Sequence, residues 1–200
     1  MEASDARVVA ALQYQLLPES AVTQLGVGFL TRFYRVALKH SGCKAIVARD
    51  SHGQVVAAAL AATDIGEFNA YVTPRVALRL VICLVFRWRL AARFLRGCFE
   101  SKPTRLVAAE LLLLFVDGPN QRTRTGTLLL ETLEKDFMRA GVTEYRVSVR
   151  SELTHALAFY AARGFQHEGE LIVLGRSMTY LTKRLGESAQ RVATVDRLEG

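Results

Sequence analysis

Two features of this 200-residue chain have the residue types and spacing to do chemistry. The first is the polar loop Gln121-Arg122-Thr123-Arg124-Thr125-Gly126, set between an apolar run, Ala109–Val116, and a helix that opens at Thr127. A strand feeding a loop that starts a helix leaves several backbone N–H groups without intrahelical partners, with the positive end of the helix dipole behind them. Such a place binds phosphate. The side chains of Arg122, Thr123, Arg124, Thr125 and Thr127 are further donors. The second feature is Glu110, the one ionisable residue in the apolar run before Asp117. It reads either as a working carboxylate or as a strand-entry residue that faces solvent or pairs with an arginine. Elsewhere there is little. His155 and His167 lie near a short late helix, and His40 and His52 sit at turns. No Ser-His-Asp or metal-ligand spacing stands out, and no G-x-x-x-x-G-K-[ST] loop of a nucleotide triphosphatase is present.

The elements that must position these residues follow from periodicity. Residues 7–17 alternate loosely and predict a first strand. Pro18-Glu19-Ser20 starts a helix, and Val22, Leu25, Phe29, Phe33 and Val36 carry it at helical spacing to about Leu38. Cys43–Arg49 and Gln54–Ala62 flank Asp50-Ser51-His52-Gly53 as a hairpin. The alanines of the second strand suit close packing against a helix. Leu106–Val116 has no alternation and ends at Gly118-Pro119, the pattern of a central strand buried on both faces. Thr127–Ala140 is a helix, Glu144–Val149 a strand and Thr154–Arg163 a short helix. Phe165–Gly169 and Leu171–Leu181 are closing strands.

Between the hairpin and the central strand lies a long connection, residues 63–104. Thr73-Pro74 predicts a helix start, with proline at the first helical position, and the helix runs to Arg96. At 100° per residue, Arg75, Arg79, Arg89, Arg93 and Arg96 fall within an arc of roughly 100°. From Arg75 to Arg105 there are eight basic residues against Glu100 alone, a local charge equal to the whole chain's +7, so the remainder is neutral. A stripe like this is either a solvated face of a helix packed on its own domain or a surface for an acidic partner or membrane. No uncharged apolar run here exceeds Leu80–Phe86, too short to span a bilayer. Half the residues are hydrophobic, ample for a core. Cys43, Cys83 and Cys98 read as reduced thiols, and with a polar, acidic N-terminus they suit a cytoplasmic protein.

Three segments together resemble the GNAT acetyltransferases. Ala109–Val116 resembles the family's fourth strand, and Gln121–Gly126 resembles its Q/R-x-x-G-x-G pyrophosphate loop, with Arg124 at the middle glycine. Ala156-Leu157-Ala158-Phe159-Tyr160-Ala161-Ala162-Arg163-Gly164-Phe165 resembles the late A-x-x-x-Y-x-x-x-G-F motif. The resemblance covers residues 106–181. It implies an α/β fold with a mixed, mostly antiparallel central sheet, helices on both faces and the basic helical insertion between strands 3 and 4. It implies one domain over 1–185, with 186–200 a flexible tail.

The activity implied is acetyl transfer from acetyl-CoA to a primary amine by direct attack, with no metal and no nucleic acid. The acceptor is a small molecule, and the basic connection suits an anionic one. An alkyl amine with a pKa near ~10.4 is about one part in 10³ neutral at pH 7, a handicap of roughly 4–5 kcal/mol. A base is therefore useful. Glu110 lies eleven positions before Gln121, where some family members carry a base carboxylate. By the same resemblance Tyr160 sits near the CoA sulfur and protonates the departing thiolate. Backbone N–H groups of Phe115 and Val116 polarise the acetyl carbonyl. Gln121, Arg122, Thr123, Arg124, Thr125, Gly126 and Thr127 hold the pyrophosphate, and a splay between the strands at 106–116 and 144–149 admits the pantetheine arm. Arg124 carries a Cβ where glycine would let the diphosphate approach freely, which leaves a non-catalytic CoA-binding module as the alternative.

Overall fold

The computed structural model describes residues 1–85, 107–121 and 123–186. Two helices come first, α1 (Ala6–Leu16) and α2 (Val27–Ala37), followed by strands β1 (Cys43–Arg49) and β2 (Val55–Ala62) and helix α3 (Ile65–Val85). Strand β3 (Ala109–Val116) leads into α4 (Thr125–Arg139), then β4 (Glu144–Arg150), α5 (Thr154–Ala161), β5 (Gln166–Val173) and β6 (Arg176–Arg184). The six strands form one sheet in the order β1-β2-β3-β4-β6-β5. Every neighbouring pair is antiparallel except β3 and β4. This is the mixed, mostly antiparallel α/β sheet expected.

The sheet is covered on both faces. Leu130, Leu133 and Phe137 of α4 pack on Leu111, Tyr145, Val147 and Val149, while Val9 and Ala10 of α1 and Leu30 and Tyr34 of α2 pack on Ala58, Leu60 and Phe115. Strand β2 explains how both helical layers come so close. All eight residues of β2 are buried, and five of them are alanines. Leu129 of α4 rests on Ala57 and Ala59 from one side. Ala6, Val9 and Ala10 of α1 share a cluster with Ala58 on the other.

Several expectations are corrected. Residues 7–17 are helical, not a strand. Their buried positions, Ala6, Val9, Ala10 and Gln13, recur at i, i+3, i+4 and i+7, so the apparent alternation was half of a helical stripe. Gln13 can be buried because Tyr34 Oη donates to its Oε1 and its Nε2 donates to Thr23 Oγ1 at 3.0 Å. The insertion consequently follows the second strand of the sheet, not the third. The helix expected from Pro18 to Leu38 is broken at Gly26, whose φ of 93° is the left-handed region that favours glycine. One turn of 3-10 helix precedes the break and α2 follows it.

The helix expected from Thr73 begins earlier, at Ile65. Asp64 Oδ1 accepts from Glu67 N–H at 2.9 Å, the bond of a capping carboxylate, and Pro74 lies inside the helix. The expected continuation of this helix to Arg96 falls outside the described residues, as does most of the tail, 187–200. The closing hairpin turns at Leu174-Gly175, so β5 runs through Glu170 instead of ending there. Both turn residues have positive φ, 51° and 73°, which reverses the chain tightly.

Candidate active site

The site is built where β3 and β4 part. Their parallel pairing comprises only Ala109↔Tyr145, Glu110↔Arg146 and Leu111↔Val147. Both strands continue, β3 to Val116 and β4 to Arg150, without pairing to each other. The fork starts at a bulge. Across from β2, Leu60 pairs with Leu113 while Ala61 pairs with Leu111, so Leu112 is an extra residue on β3. A bulge bends its strand and sharpens the local twist, which here carries β3 away from β4.

The bulge and the ladder also decide which amides face the gap. Asp117 N–H bonds to Val56 O at 2.8 Å. Hydrogen bonds in an antiparallel ladder alternate in direction. Phe115 N–H therefore points to β2, and Val116 N–H points into the fork. Of the two residues expected to polarise a carbonyl, Val116 has the free amide. Phe115 instead buries its ring among α1 and α2.

At the mouth of the fork stands the N-terminus of α4. The first bond onto this helix runs from Leu128 N–H to Arg124 O, 2.9 Å. The N–H groups of Thr125, Gly126 and Thr127 precede it and have no intrahelical acceptor. The loop before them is held by its own side chains. Thr123 Oγ1 donates to Asn120 O at 2.6 Å and lies 2.9 Å from Thr125 Oγ1. Gln121 Nε2 donates to Val116 O at 3.1 Å, so Gln121 ties the loop to the end of β3. Arg122 lies outside the described residues.

Arg124 has φ 63° and ψ 0°, a left-handed residue directly before the helix. The loop has thus kept the backbone that a glycine would adopt freely and placed an arginine in it, a conformation costing roughly 1–2 kcal/mol for a residue with a Cβ. At Gly126 a Cβ would meet only Phe159 and Val116, at 3.5 Å, ordinary contact distance. The protein itself therefore does not require glycine there.

The two candidate acid–base residues lie on opposite faces of the sheet. Glu110 is buried one pair before the fork opens. Its Oε2 accepts from Arg146 Nε at 2.9 Å and from Nη2 at 2.7 Å, and Ser148 Oγ lies 3.5 Å from Oε1. The Arg146 guanidinium also stands over the Tyr180 ring, 5.7 Å from its centroid. Desolvation, then the Glu110 charge, raises the Tyr180 hydroxyl pKa, while Arg146 opposes them. Glu110 is thus paired with an arginine, one of the two alternatives for it, and Oε1 is its less engaged oxygen.

Tyr160 lies on the α4 face, 6% exposed, with its ring edge-on to Phe159 at 5.2 Å and Phe165 at 5.0 Å. Burial raises its pKa far above 10. The phenol therefore stays protonated and is a weaker acid than an exposed tyrosine.

Four residues that matter here had no assigned role. Arg163 donates Nη1 to Phe159 O at 2.7 Å, donates Nη2 to Thr127 Oγ1, and stacks 3.6 Å from the centre of the Phe159 ring. It fixes α5 against the first turn of α4. Its position, four after Phe159 inside the late motif, was the available signal. Arg146 and Ser148 were signalled by the alternation Tyr-Arg-Val-Ser-Val, which sends them to the face opposite Tyr145 and Val147. Tyr180 had no local signal, because β6 brings it there. Among the described residues no group of three or more His, Cys, Asp or Glu could hold a metal ion.

A mixed sheet forked beside a helix N-terminus is the architecture of the GNAT fold. Residues 103–174 match the family described as acetyltransferase (GNAT) domain. Solved structures agree over the length of the chain. An acetyltransferase crystal structure superposes with TM-score 0.61 at 14% identity, covering 92% of this chain and 96% of that one. The ribosomal-protein-alanine N-acetyltransferase of Brucella melitensis gives 0.60 at 14%, covering 92% and 97%. A phosphinothricin acetyltransferase of Sinorhizobium meliloti, solved with AcCoA, gives 0.60 at 16%, covering 94% and 86%. No curated protein matches the sequence. The chain has the GNAT fold, and residues 103–174 of it match the acetyltransferase (GNAT) domain family.

Proposed function

We propose that the protein is an acetyl-CoA-dependent N-acetyltransferase acting on a primary amine of a small molecule. The observation that carries this is the fork between β3 and β4 opening beside the three free amides of Thr125, Gly126 and Thr127. In this reading those amides, with Thr123, Arg122 and Arg124, hold the CoA diphosphate. Such charge-assisted bonds are the strong ones. The pantetheine arm lies in the fork, and Val116 N–H receives the acetyl oxygen as it gains negative charge. The acceptor amine approaches from the Glu110 face. Its nitrogen attacks the acetyl carbon, the carbon–sulfur bond breaks, and the thiolate takes a proton from Tyr160. The amine's proton leaves through Glu110 Oε1, directly or by a water; positioned proton transfer of this kind is worth ~10²–10⁴ in rate. Residues 1–185 act as one cytoplasmic domain.

Several observations support the reading. The family match and the fold neighbours, one of them solved with AcCoA, favour the thioester. The neighbours' own substrates differ, a ribosomal protein in one name and phosphinothricin in another. The acceptor here is therefore argued from chemistry alone. The basic connection favours one that carries an anion.

The test is release of free CoA thiol from acetyl-CoA with a panel of small amines, including anionic ones. Turnover with at least one is expected, and Gly126→Ala should leave the melting temperature unchanged or higher while weakening CoA binding about tenfold or more, since only the ligand needs the missing Cβ. A second reading, a non-catalytic CoA-binding module, is favoured by the left-handed Arg124. Calorimetric binding of CoA with no turnover on any amine would establish it instead.

A further inference from the structure

Helix α3 has two apolar faces. One is accounted for. Phe68, Val72 and Val76 are buried in a cluster with Leu25, Phe29 and Val36, and Leu80, Cys83 and Leu84 pack against it. The other points outward. Leu78, Val81, Ile82 and Val85 are 77%, 56%, 49% and 72% exposed. They recur at i, i+3, i+4 and i+7, so they form one stripe along the C-terminal half of the helix. A contiguous exposed stripe of large aliphatic residues marks an interaction surface in a folded protein.

What the stripe meets is indicated by its border. Arg75 and Arg79, both exposed, stand three residues before Leu78 and Ile82 and flank the stripe along one edge. Arg75 is held along the helix, its Nη1 donating to Tyr71 O at 2.8 Å and its guanidinium 3.7 Å from the centre of the Tyr71 ring. No acidic residue occurs between Glu67 and Glu100, and the sequence that follows the helix adds six more basic residues by Arg105. An apolar stripe edged by arginine and free of carboxylates complements an anionic bilayer surface, in which aliphatic side chains enter the acyl boundary while cations sit among phosphates.

The helix is long and apolar enough by composition to cross a membrane. It cannot do so here without extracting Phe68, Val72 and Val76 from the core.

We propose that the stripe Leu78–Val81–Ile82–Val85, with Arg75 and Arg79 at its edge, docks the protein reversibly on anionic lipid bilayers. The docking is separate from acetyl transfer and holds whether or not the fork is catalytic. A weak attachment is expected, because one short interfacial stripe with two bordering charges is far from the anchoring strength of a spanning helix.

The experiment is co-sedimentation of the full chain with vesicles of phosphatidylcholine alone and with vesicles containing phosphatidylglycerol. Binding to the anionic vesicles, weakened by added salt, is expected. The triple variant Leu78→Ser/Val81→Ser/Val85→Ser should reduce partitioning about tenfold or more at an unchanged melting temperature, these residues being exposed. Arg75→Gln/Arg79→Gln should reduce it less and flatten the salt dependence. Three results overturn the proposal. One is no association with anionic vesicles. Another is association that the serine variant leaves intact, which would assign binding to charge alone. The third is a dimer in light scattering that the serine variant dissociates while vesicles bind neither form, which would assign the stripe to a second copy of the chain.

Discussion

The two faces of the sheet at the fork are built on opposite principles. On the α4 face, Leu130, Leu133, Phe137, Tyr145, Val147, Tyr160 and Phe165 form one dry cluster. The Tyr145 hydroxyl at its edge donates to Glu134 at 2.5 Å, with Lys183 on the same carboxylate at 2.6 Å. On the opposite face, at the same level of the same strands, buried Glu110 meets the half-buried Arg146, Ser148 and Tyr180 in a polar group. The dry face holds the fold by area removed from water. The polar face contributes little net stability, because desolvation of Glu110 and Arg146 offsets their attraction. Charge is placed there at that expense, which is the pattern of a site.

The largest effect expected is on the dry face. Leu133→Ala removes a fully buried side chain and should destabilise the fold by about 3–4 kcal/mol in denaturant titration. On the polar face, Arg146→Met leaves Glu110 buried without its partner and should cost about 3 kcal/mol, most of it recovered when Glu110→Leu is added. Additive losses in the double variant would show that the two side chains do not depend on each other, and the contrast between the faces would fail.

Titration separates the faces further. Burial raises the hydroxyl pKa values of Tyr34, Tyr145 and Tyr160 well above 10, and the Cys43 thiol to about 11. A group whose folded pKa is raised lends stability that is complete below its unfolded pKa and is lost as pH climbs toward the folded value. Stability should therefore hold to about pH 9, then fall by about 1.4 kcal/mol per buried tyrosine per pH unit above 10. Melts of Tyr160→Phe should show a shallower alkaline decline by one such increment.

The smallest effect is at the loop. Arg124→Gly should raise stability by up to about 1 kcal/mol, the relief of left-handed strain less the added freedom of the unfolded glycine. If calorimetry shows CoA binding weakened by that change, the arginine holds the diphosphate; if binding strengthens, it hinders it.

Much of this was legible in the chain. The apolar run Ala109–Val116, the Thr-rich loop and the start of α4 were clear because each is a local signal: a buried strand without alternation, a turn at Gly118-Pro119, a helix stripe of Leu129, Leu130, Leu133 and Phe137. The first helix was not legible, since Gln13 reads as a polar break until Tyr34 and Thr23 are seen to satisfy it. Pro74 misled in the same way, as a residue common at helix starts that here sits within one.

The sequence by itself determined where the polar loop ends and α4 begins, because a helix N-terminus is specified by its own neighbours. It did not determine what Glu110 faces, that Val116 alone of its pair turns an amide into the gap, or that Leu78, Val81, Ile82 and Val85 stay exposed. Those depend on strand pairing, on one bulged residue and on which side of α3 meets α2. Each is a contact between segments far apart in the chain, and no local preference encodes it.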